Sequence, residues 1–372
     1  MRRILYVVNV DWFFVSHRLP LAISLLKTGA EVHIACKFTT YQDYFEELGI
    51  ITHDLDLTRG GTGVLSEFKA FYSIYQTLKT IRPDLVHLVT IKPTIYGGIA
   101  ARLLGVEKVV VSISGLGYVF IDQSAKVKFI RKLAVFFYRL GLSNKKVRVI
   151  FQNTTDRELF LENKIIEKSQ AILIRGSGVD LHDLTFKAES DGVPVVMFLA
   201  RLLKDKGILE FVESSRIVKS GGGVARFVLV GDLDSENPNS ISLQELNIWV
   251  NSGLVEHWGY SNDISATIAK SNLMVLPSYR EGLPKSLLEA AACGRAVITS
   301  DVPGCRDAIV PGETGVLVAS KNAIALADAI NQLLGDASLR RQYGTAGREL
   351  AENFFDIKDV VAKHLALYFG EN

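Results

Sequence analysis

Two glutamates eight positions apart, Glu281 and Glu289, lie in the stretch of this sequence best equipped for chemistry, Pro277-Ser278-Tyr279-Arg280-Glu281-Gly282-Leu283-Pro284-Lys285-Ser286-Leu287-Leu288-Glu289-Ala290-Ala291-Ala292-Cys293-Gly294. An apolar strand is predicted to end at Leu276. A turn follows, Pro284 suits the first position of a helix, and Gly294 suits its C-terminal cap. Such a helix start presents backbone N–H groups near Lys285 to Leu287, and with the helix dipole they form an anion site. Lys285 and Ser286 add contacts of the kind a diphosphate takes. Glu289 falls among leucines and alanines, where a carboxylate is costly unless it accepts hydrogen bonds. The vicinal hydroxyls of a ribose would supply them, and local pairing or capping is the alternative reading.

This segment resembles the motif of family 4 of the retaining glycosyltransferases: Glu, Gly, any residue, Pro, then a second Glu eight residues after the first, followed by Ala and a later Gly. The resemblance implies that Glu281 contacts the hydroxyls of a donor sugar and Glu289 the ribose of its nucleotide. It makes Gly282, Leu283, Pro284, Ser286 and Leu287 candidate donor contacts. A second stretch, Ala200-Arg201-Leu202-Leu203-Lys204-Asp205-Lys206-Gly207, is similar to the family's Arg-and-Lys pair that neutralises the donor diphosphate. Arg201 and Lys206 match that pair. Fixed cations facing a departing diphosphate stabilise charge that grows in the transition state, which raises the rate. Gly231, ending a strand, and Tyr260, with Trp258, Gly259 and Asp263, resemble the Gly-rich turn and the nucleobase-lining segment. For Trp258 by itself, core packing is the better reading.

A narrower resemblance covers essentially the whole chain. Ser16-His17-Arg18-Leu19-Pro20, Gly29-Ala30-Glu31-Val32, Asp84-Leu85-Val86-His87, Ile91-Lys92-Pro93, Ser114-Gly115-Leu116-Gly117, Gly231 to Pro238 and Asn251-Ser252-Gly253 are similar to bacterial transferases that add N-acetylgalactosamine to an undecaprenyl-diphosphate-linked sugar. The chain departs from many relatives in one respect. They carry a His after the fifth strand, and Val111 to Gly115 here has none. His17 and His87, near predicted strand ends, are the substitutes considered, against a structural role for each. The resemblance implies retention of anomeric configuration, with the acceptor hydroxyl attacking on the face the diphosphate leaves and a phosphate oxygen taking the proton. No Asp-x-Asp stands in a suitable turn, so no metal is expected, and a UDP-sugar is the expected donor with no further cofactor.

The elements that must position these residues form an alternating series. Predicted strands are Ile4–Val8, Glu31–Cys36, Asp84–Val89, Lys108–Ile113, Val147–Gln152 and Ala171–Ile174. Helical patterns cover Arg18–Thr28 and Ile95–Leu104. After a polar stretch, Lys187 to Gly192, the series restarts with strands at Val195–Leu199, Arg226–Val230, Leu273–Leu276, Ala296–Thr299 and Gly315–Val318, and a helix at Gly207–Lys219. Alternation of this kind predicts parallel sheets wrapped by helices. The reading is an α/β protein of two Rossmann-like domains, the GT-B class: residues 1–185 binding acceptor, 190–355 binding the nucleotide sugar, and a helix over 356–372 crossing back to the first domain. Ligands in such folds bind at the carboxyl ends of the strands, here in the interdomain cleft.

The chain has 372 residues and a formal net charge of +2, which speaks against a general nucleic-acid binder. Its three cysteines match no zinc spacing and fit a reducing cytoplasm. Met1 to Val8 is read as a strand rather than a signal peptide, and no apolar run approaches the roughly 18 residues that span a bilayer. Residues 123–155 contain no acid. Their basic segment 126–148 interleaves Lys126, Lys128, Arg131, Lys132, Arg139, Lys145, Lys146 and Arg148 with aromatic and aliphatic residues, a pattern suited to the anionic inner face of the cytoplasmic membrane. A helix packed by its apolar face is the alternative. Arg59-Gly60-Gly61-Thr62-Gly63 is read as an acceptor loop or a surface turn. The competing functions are a sugar-nucleotide epimerase of the same fold, a glycoside hydrolase using the glutamate pair, and a non-catalytic sugar-nucleotide-binding subunit.

Overall fold

The structure is a computed structural model, which describes residues 2–57, 63–116 and 125–370, with side chains of Val64 and of 125–129 left aside. The residues Arg59 to Thr62 and Gly117 singled out above lie outside the described residues. The chain forms two compact units. The first comprises the described residues up to Ser177 and those from Lys358 onward; the second is Gly178–Ile357. The change of unit therefore falls earlier than the polar stretch at Lys187 to Gly192.

The first unit holds a seven-stranded sheet built from β1 (Arg3–Val10), β2 (Glu31–Lys37), β3 (Ile51–Asp54), β4 (Leu85–Val89), β5 (Lys108–Ile113), β6 (Val147–Phe151) and β7 (Ala171–Leu173). Their order is β3-β2-β1-β4-β5-β6-β7, and every pairing is parallel. All five residues of β4 are buried, as parallel strands covered on both faces must be. One apolar layer gathers Leu5, Val7, Val86, Leu88 and Val111 with Ile74, Leu78 and Tyr138 from helices; the other gathers Ile4, Tyr6 and Val8 with Phe14, Leu25 and Tyr368. The opposite alternation of β1 residues between the two layers is the period of two that a strand dictates.

The second unit holds β8 (Val195–Leu199), β9 (Arg226–Val230), β10 (Glu256–His257), β11 (Leu273–Leu276), β12 (Ala296–Ser300) and β13 (Gly315–Val318), in the order β10-β9-β8-β11-β12-β13, again all parallel. In each sheet the chain winds outward from one central strand and then crosses back to its other side: at β1 and β4 in the first, at β8 and β11 in the second. Such a reversal opens a crevice at the carboxyl ends of the two strands.

Several elements differ from the sequence reading. Asp11–His17 is a helix of its own, and a second helix, Leu19–Lys27, follows it. Trp12-Phe13-Phe14-Val15 carries too little polar contrast to announce the first. The predicted helix from Ile95 opens as a π-helical turn, Pro93–Gly97, before Gly98–Leu104 continues as α. The terminal helix runs Ile357–Phe369, and its residues from Lys358 pack on the first unit.

A basic pair and two carboxylates at the crossover of the second sheet

The β8–β11 crossover receives the residues singled out by the sequence. Arg201 follows β8 after one residue, and Lys206 closes the short 3-10 turn Lys204–Lys206. Glu281 lies between the end of β11 and the helix Lys285–Ala292. Lys206 Nζ meets Glu281 Oε1 at 2.5 Å, and Ser278 Oγ donates to the same oxygen at 2.8 Å. Both members of the ion pair are largely shielded from solvent, at 21% and 11% side-chain exposure, so the pair is little screened.

The backbone makes this approach possible. Gly207 has φ +77°, and a Cβ there would stand 2.1 Å from the carbonyl oxygen of Pro277. Only glycine lets the Lys206 turn close against the exit of β11, where Tyr279 N–H also donates to Asp205 O at 2.9 Å. Gly231, at φ +133°, sits equally tightly, its Cβ position 2.0 Å from Ala200 O. Its N–H donates to Gly259 O at 2.9 Å, while His257 Nε2 approaches Gly231 O at 2.9 Å. The β9 and β10 exits are thereby tied beside β8. Arg201 pairs with Asp234 in the loop after β9, at 2.6 Å.

Pro284 is the N-cap rather than the first helical residue, and no side chain caps this helix start. Glu289 lies one turn in, 9% exposed, with Lys285 Nζ 3.5 Å from Oε1. Burial pushes its carboxyl above the usual range, and Lys285 opposes that shift. Lys285 thus pairs locally with one Glu289 oxygen, at a distance longer than a strong hydrogen bond. Glu281 precedes the helix, so the helical spacing that would hold two carboxyls about 12 Å apart does not govern this pair.

Not every candidate contributes a side chain. Leu283 and Leu287 are core residues, 6% and 0% exposed, and Leu287 N–H donates to Pro284 O at 3.1 Å. Gly282 is buried beside them and Ser286 is half-buried. Tyr260 stands 64% exposed beyond β10. Trp258 packs against the core of the second unit and donates to Glu256, while Asp263 caps the helix Ile264–Ala269.

The histidines fare differently. His87 has no exposed surface: Nε2 contacts Ser112 Oγ at 2.7 Å and Nδ1 contacts the Tyr368 hydroxyl. Burial and the nearby Arg18 charge hold it neutral, far below the usual imidazole range. It joins the terminal helix to the first sheet, a contact that fits the structural role weighed for it against catalysis. His17 stacks on Phe13, ring centroids 4.1 Å apart, and its Nδ1 lies 3.1 Å from Phe13 O.

Sequence reasoning missed Ser278 and Asp234, which position Glu281 and Arg201. It also missed Asp11. That carboxylate is fully buried at the end of β1, yet it accepts from Trp12, Thr39, Thr40 and Tyr41 N–H and from the Thr39 hydroxyl at 2.7–3.0 Å. Burial alone would raise its pKa; the hydrogen bonds outweigh it and lower it.

Solved structures share this architecture over the whole chain. Sucrose-phosphate synthase from Thermosynechococcus elongatus superposes with a TM-score of 0.78 at 20% identity, covering 100% of this chain and 99% of its own. The Anabaena protein HepE, in complex with UDP and glucose, also gives 0.78 at 18% identity, covering all of both chains. The fold is GT-B. Residues 183–350 match the family model described as glycosyl transferases group 1, and residues 3–153 match glycosyl transferase 4-like. A Campylobacter jejuni relative, N,N'-diacetylbacillosaminyl-diphospho-undecaprenol alpha-1,3-N-acetylgalactosaminyltransferase, is 30% identical over 95% of this chain and 97% of its own. An Escherichia coli relative, UDP-Gal:alpha-D-GlcNAc-diphosphoundecaprenol alpha-1,3-galactosyltransferase, is 26% identical over 80% of this chain and 78% of its own. The chain belongs to the group 1 glycosyl transferases, family 4 of the glycosyltransferases, and is an enzyme of that class.

Proposed function

We propose that this enzyme moves a sugar, N-acetylgalactosamine or another N-acetylhexosamine, from a UDP-sugar to an undecaprenyl-diphosphate-linked saccharide in surface polysaccharide or glycan biosynthesis. The observation that carries the reading is the Lys206–Glu281 pair buttressed by Ser278 at the β8–β11 crossover. The whole-length likeness to the C. jejuni transferase supports the acceptor class and the sugar.

In this reading the second unit binds the donor and the first the acceptor. The diphosphate lies against the start of the helix Lys285–Ala292, with Arg201 and Lys206 as its counter-charges. Donor binding then exchanges the partners these cations hold now. Lys206, turning toward phosphate, remains close to Glu281, whose oxygens accept from the sugar's hydroxyls. Glu289 accepts from the ribose hydroxyls. As the bond from the anomeric carbon to the diphosphate oxygen breaks, the acceptor hydroxyl attacks on the same face. Its proton passes to a phosphate oxygen, and configuration is retained. No covalent nucleophile and no metal is required, because positioning and fixed charge supply the stabilisation. The enzyme would work as a peripheral protein on the cytoplasmic face of the membrane.

The test is to supply purified enzyme with a panel of UDP-sugars and a short-chain polyprenyl-diphosphate monosaccharide, and to weigh the lipid product by mass spectrometry. A product heavier by one N-acetylhexosamine, reduced on the order of 1,000-fold in Glu281→Ala, supports the reading. Conversion of UDP-sugar without acceptor would replace it with an epimerase or hydrolase.

A further inference from the structure

The crossover of the first sheet carries features that the donor chemistry does not use. Thr90, the residue after β4, adopts φ +77°. For a β-branched residue this is an outlier that costs energy and persists only where the surroundings enforce it. The other described non-glycine residues with positive φ are Arg82, Lys164 and Lys321, none of them β-branched. Three residues later the chain makes its π-helical turn, Pro93–Gly97, a distortion found mostly at functional sites.

Around this distortion, buried oxygens lack hydrogen-bond partners among the described residues: Asn9 Oδ1, Thr90 Oγ1, Thr94 Oγ1 and Ser114 Oγ. Thr94 has no exposed surface at all. Thr94 is in the π-helical turn, and the other three atoms belong to the carboxyl ends of three neighbouring strands. Asn9 is in β1, Thr90 follows β4, and Ser114 follows β5. The registers Val7↔Leu88 and Val89↔Ser112 bring the three ends nearly level, with strands about 4.8 Å apart. Buried polar atoms normally find a partner, so a cluster of unsatisfied ones marks a place prepared for a ligand.

The local charge decides the ligand's class. Of the cations near these strand ends, Lys92 is matched by Glu67 at 2.9 Å, with the Tyr96 hydroxyl donating to the other Glu67 oxygen, and Arg18 is itself buried and donates to His17 O. The orphaned atoms are three hydroxyls and one amide oxygen. A phosphate would call for surplus positive charge, whereas hydroxyls and amides complement the hydroxyl and acetamido groups of a sugar ring.

We propose that Asn9, Thr90, Thr94 and Ser114, at the β1–β4 crossover, bind the ring substituents of the acceptor sugar and set which acceptor is used. The inference rests on the proposed acceptor being a lipid-linked saccharide. The strained Thr90 backbone and the π-turn hold Thr94 in place for that contact.

The test is steady-state kinetics of Thr94→Val and Ser114→Ala with the polyprenyl-diphosphate monosaccharide and with analogues each lacking one ring hydroxyl or the acetamido group. The expected result is an acceptor KM raised about five- to tenfold with the donor KM unchanged. At least one deoxy analogue should cost the wild type the same factor and cost the variant nothing further, which a merely structural role would not produce. Equal melting temperatures establish that the variants are folded, and Ser114→Ala stands alone if Thr94→Val does not fold. Unchanged acceptor KM in folded variants, or losses additive with every analogue, overturns the inference while leaving the proposed function intact. A wild-type enzyme that glycosylates no lipid-linked saccharide overturns the proposed function and takes this inference with it.

Discussion

Glu289 shows how one buried side chain links binding to protons. Its raised pKa means the folded protein without ligand holds a proton above the ordinary carboxylate value of 4.5. This group's contribution to stability is therefore full below that value and declines as pH rises through the shifted one. Ribose hydroxyls donating to the carboxylate favour its charged form, so UDP binding should release a proton and tighten as pH rises through the same window. Calorimetric titration of UDP in buffers of different ionisation enthalpy should detect that release in the wild type and miss it in Glu289→Gln, which should also bind about tenfold more weakly. The glutamates and the basic pair were singled out in the sequence by their resemblance to a family motif, and the fold brings Lys206 and Glu281 together. Ser278 was not, since a serine after a proline has no distinctive pattern. Thr90 was hidden more deeply: its residue type argues against the backbone conformation it adopts.

At the level of elements, the central strands of both sheets were readable as continuous apolar runs. The edge strands β3 and β10 were not, because Ile51-Thr52-His53-Asp54 and Glu256-His257 are mostly polar and partly exposed and form no apolar run. Close approaches between elements are likewise invisible in sequence. Gly207→Ala should displace the Lys206 turn from Pro277 and lower kcat at least tenfold while the protein stays folded, a result circular dichroism and initial rates would check together. The terminal helix makes a second prediction. His364 is buried, its pKa depressed to about 3 by burial first and by Arg18 second. The unfolded chain takes up this proton near 6.5 and the folded one does not, so stability present above pH 6.5 is lost progressively as pH falls toward 3. Denaturant melts at pH 5 and pH 7.5 should show the loss, and His364→Gln should shrink the difference. His87, its pKa also lowered by burial, acts in the same direction.

Considered whole, the first unit presents an apolar surface on its helices. Ile130, Leu133, Phe136 and Leu140 are 39–58% exposed on the helix Ala125–Leu142, at spacings of three and four that place them on one side. The basic segment is not one helix, however. Its helical part ends at Leu142, Lys145 and Lys146 lie in a turn, and Arg148 belongs to β6. Leu65, Phe68 and Tyr72 form a similar exposed row on the helix Val64–Ile81. No helix among the described residues is long and apolar enough to cross a membrane. If these rows rest on lipid, the protein should sediment with anionic vesicles and less with zwitterionic ones. Leu133→Ser with Phe136→Ser should weaken sedimentation about tenfold, leaving UDP binding untouched. Equal sedimentation of wild type and variant would refute the lipid contact.

The return of residues from Lys358 to the first unit has a consequence for synthesis. Gly178–Ile357 is one uninterrupted length of chain, whereas the first unit is split around it. On the ribosome the later-made unit can finish before the earlier one. Until residues 358–369 emerge, the nascent first sheet holds His87 without the Tyr368 hydroxyl it contacts, and one apolar layer lacks Val360 and Tyr368. The first part made is thus the last to mature, and through that interval it is the part of the nascent chain most exposed to chaperones and proteases.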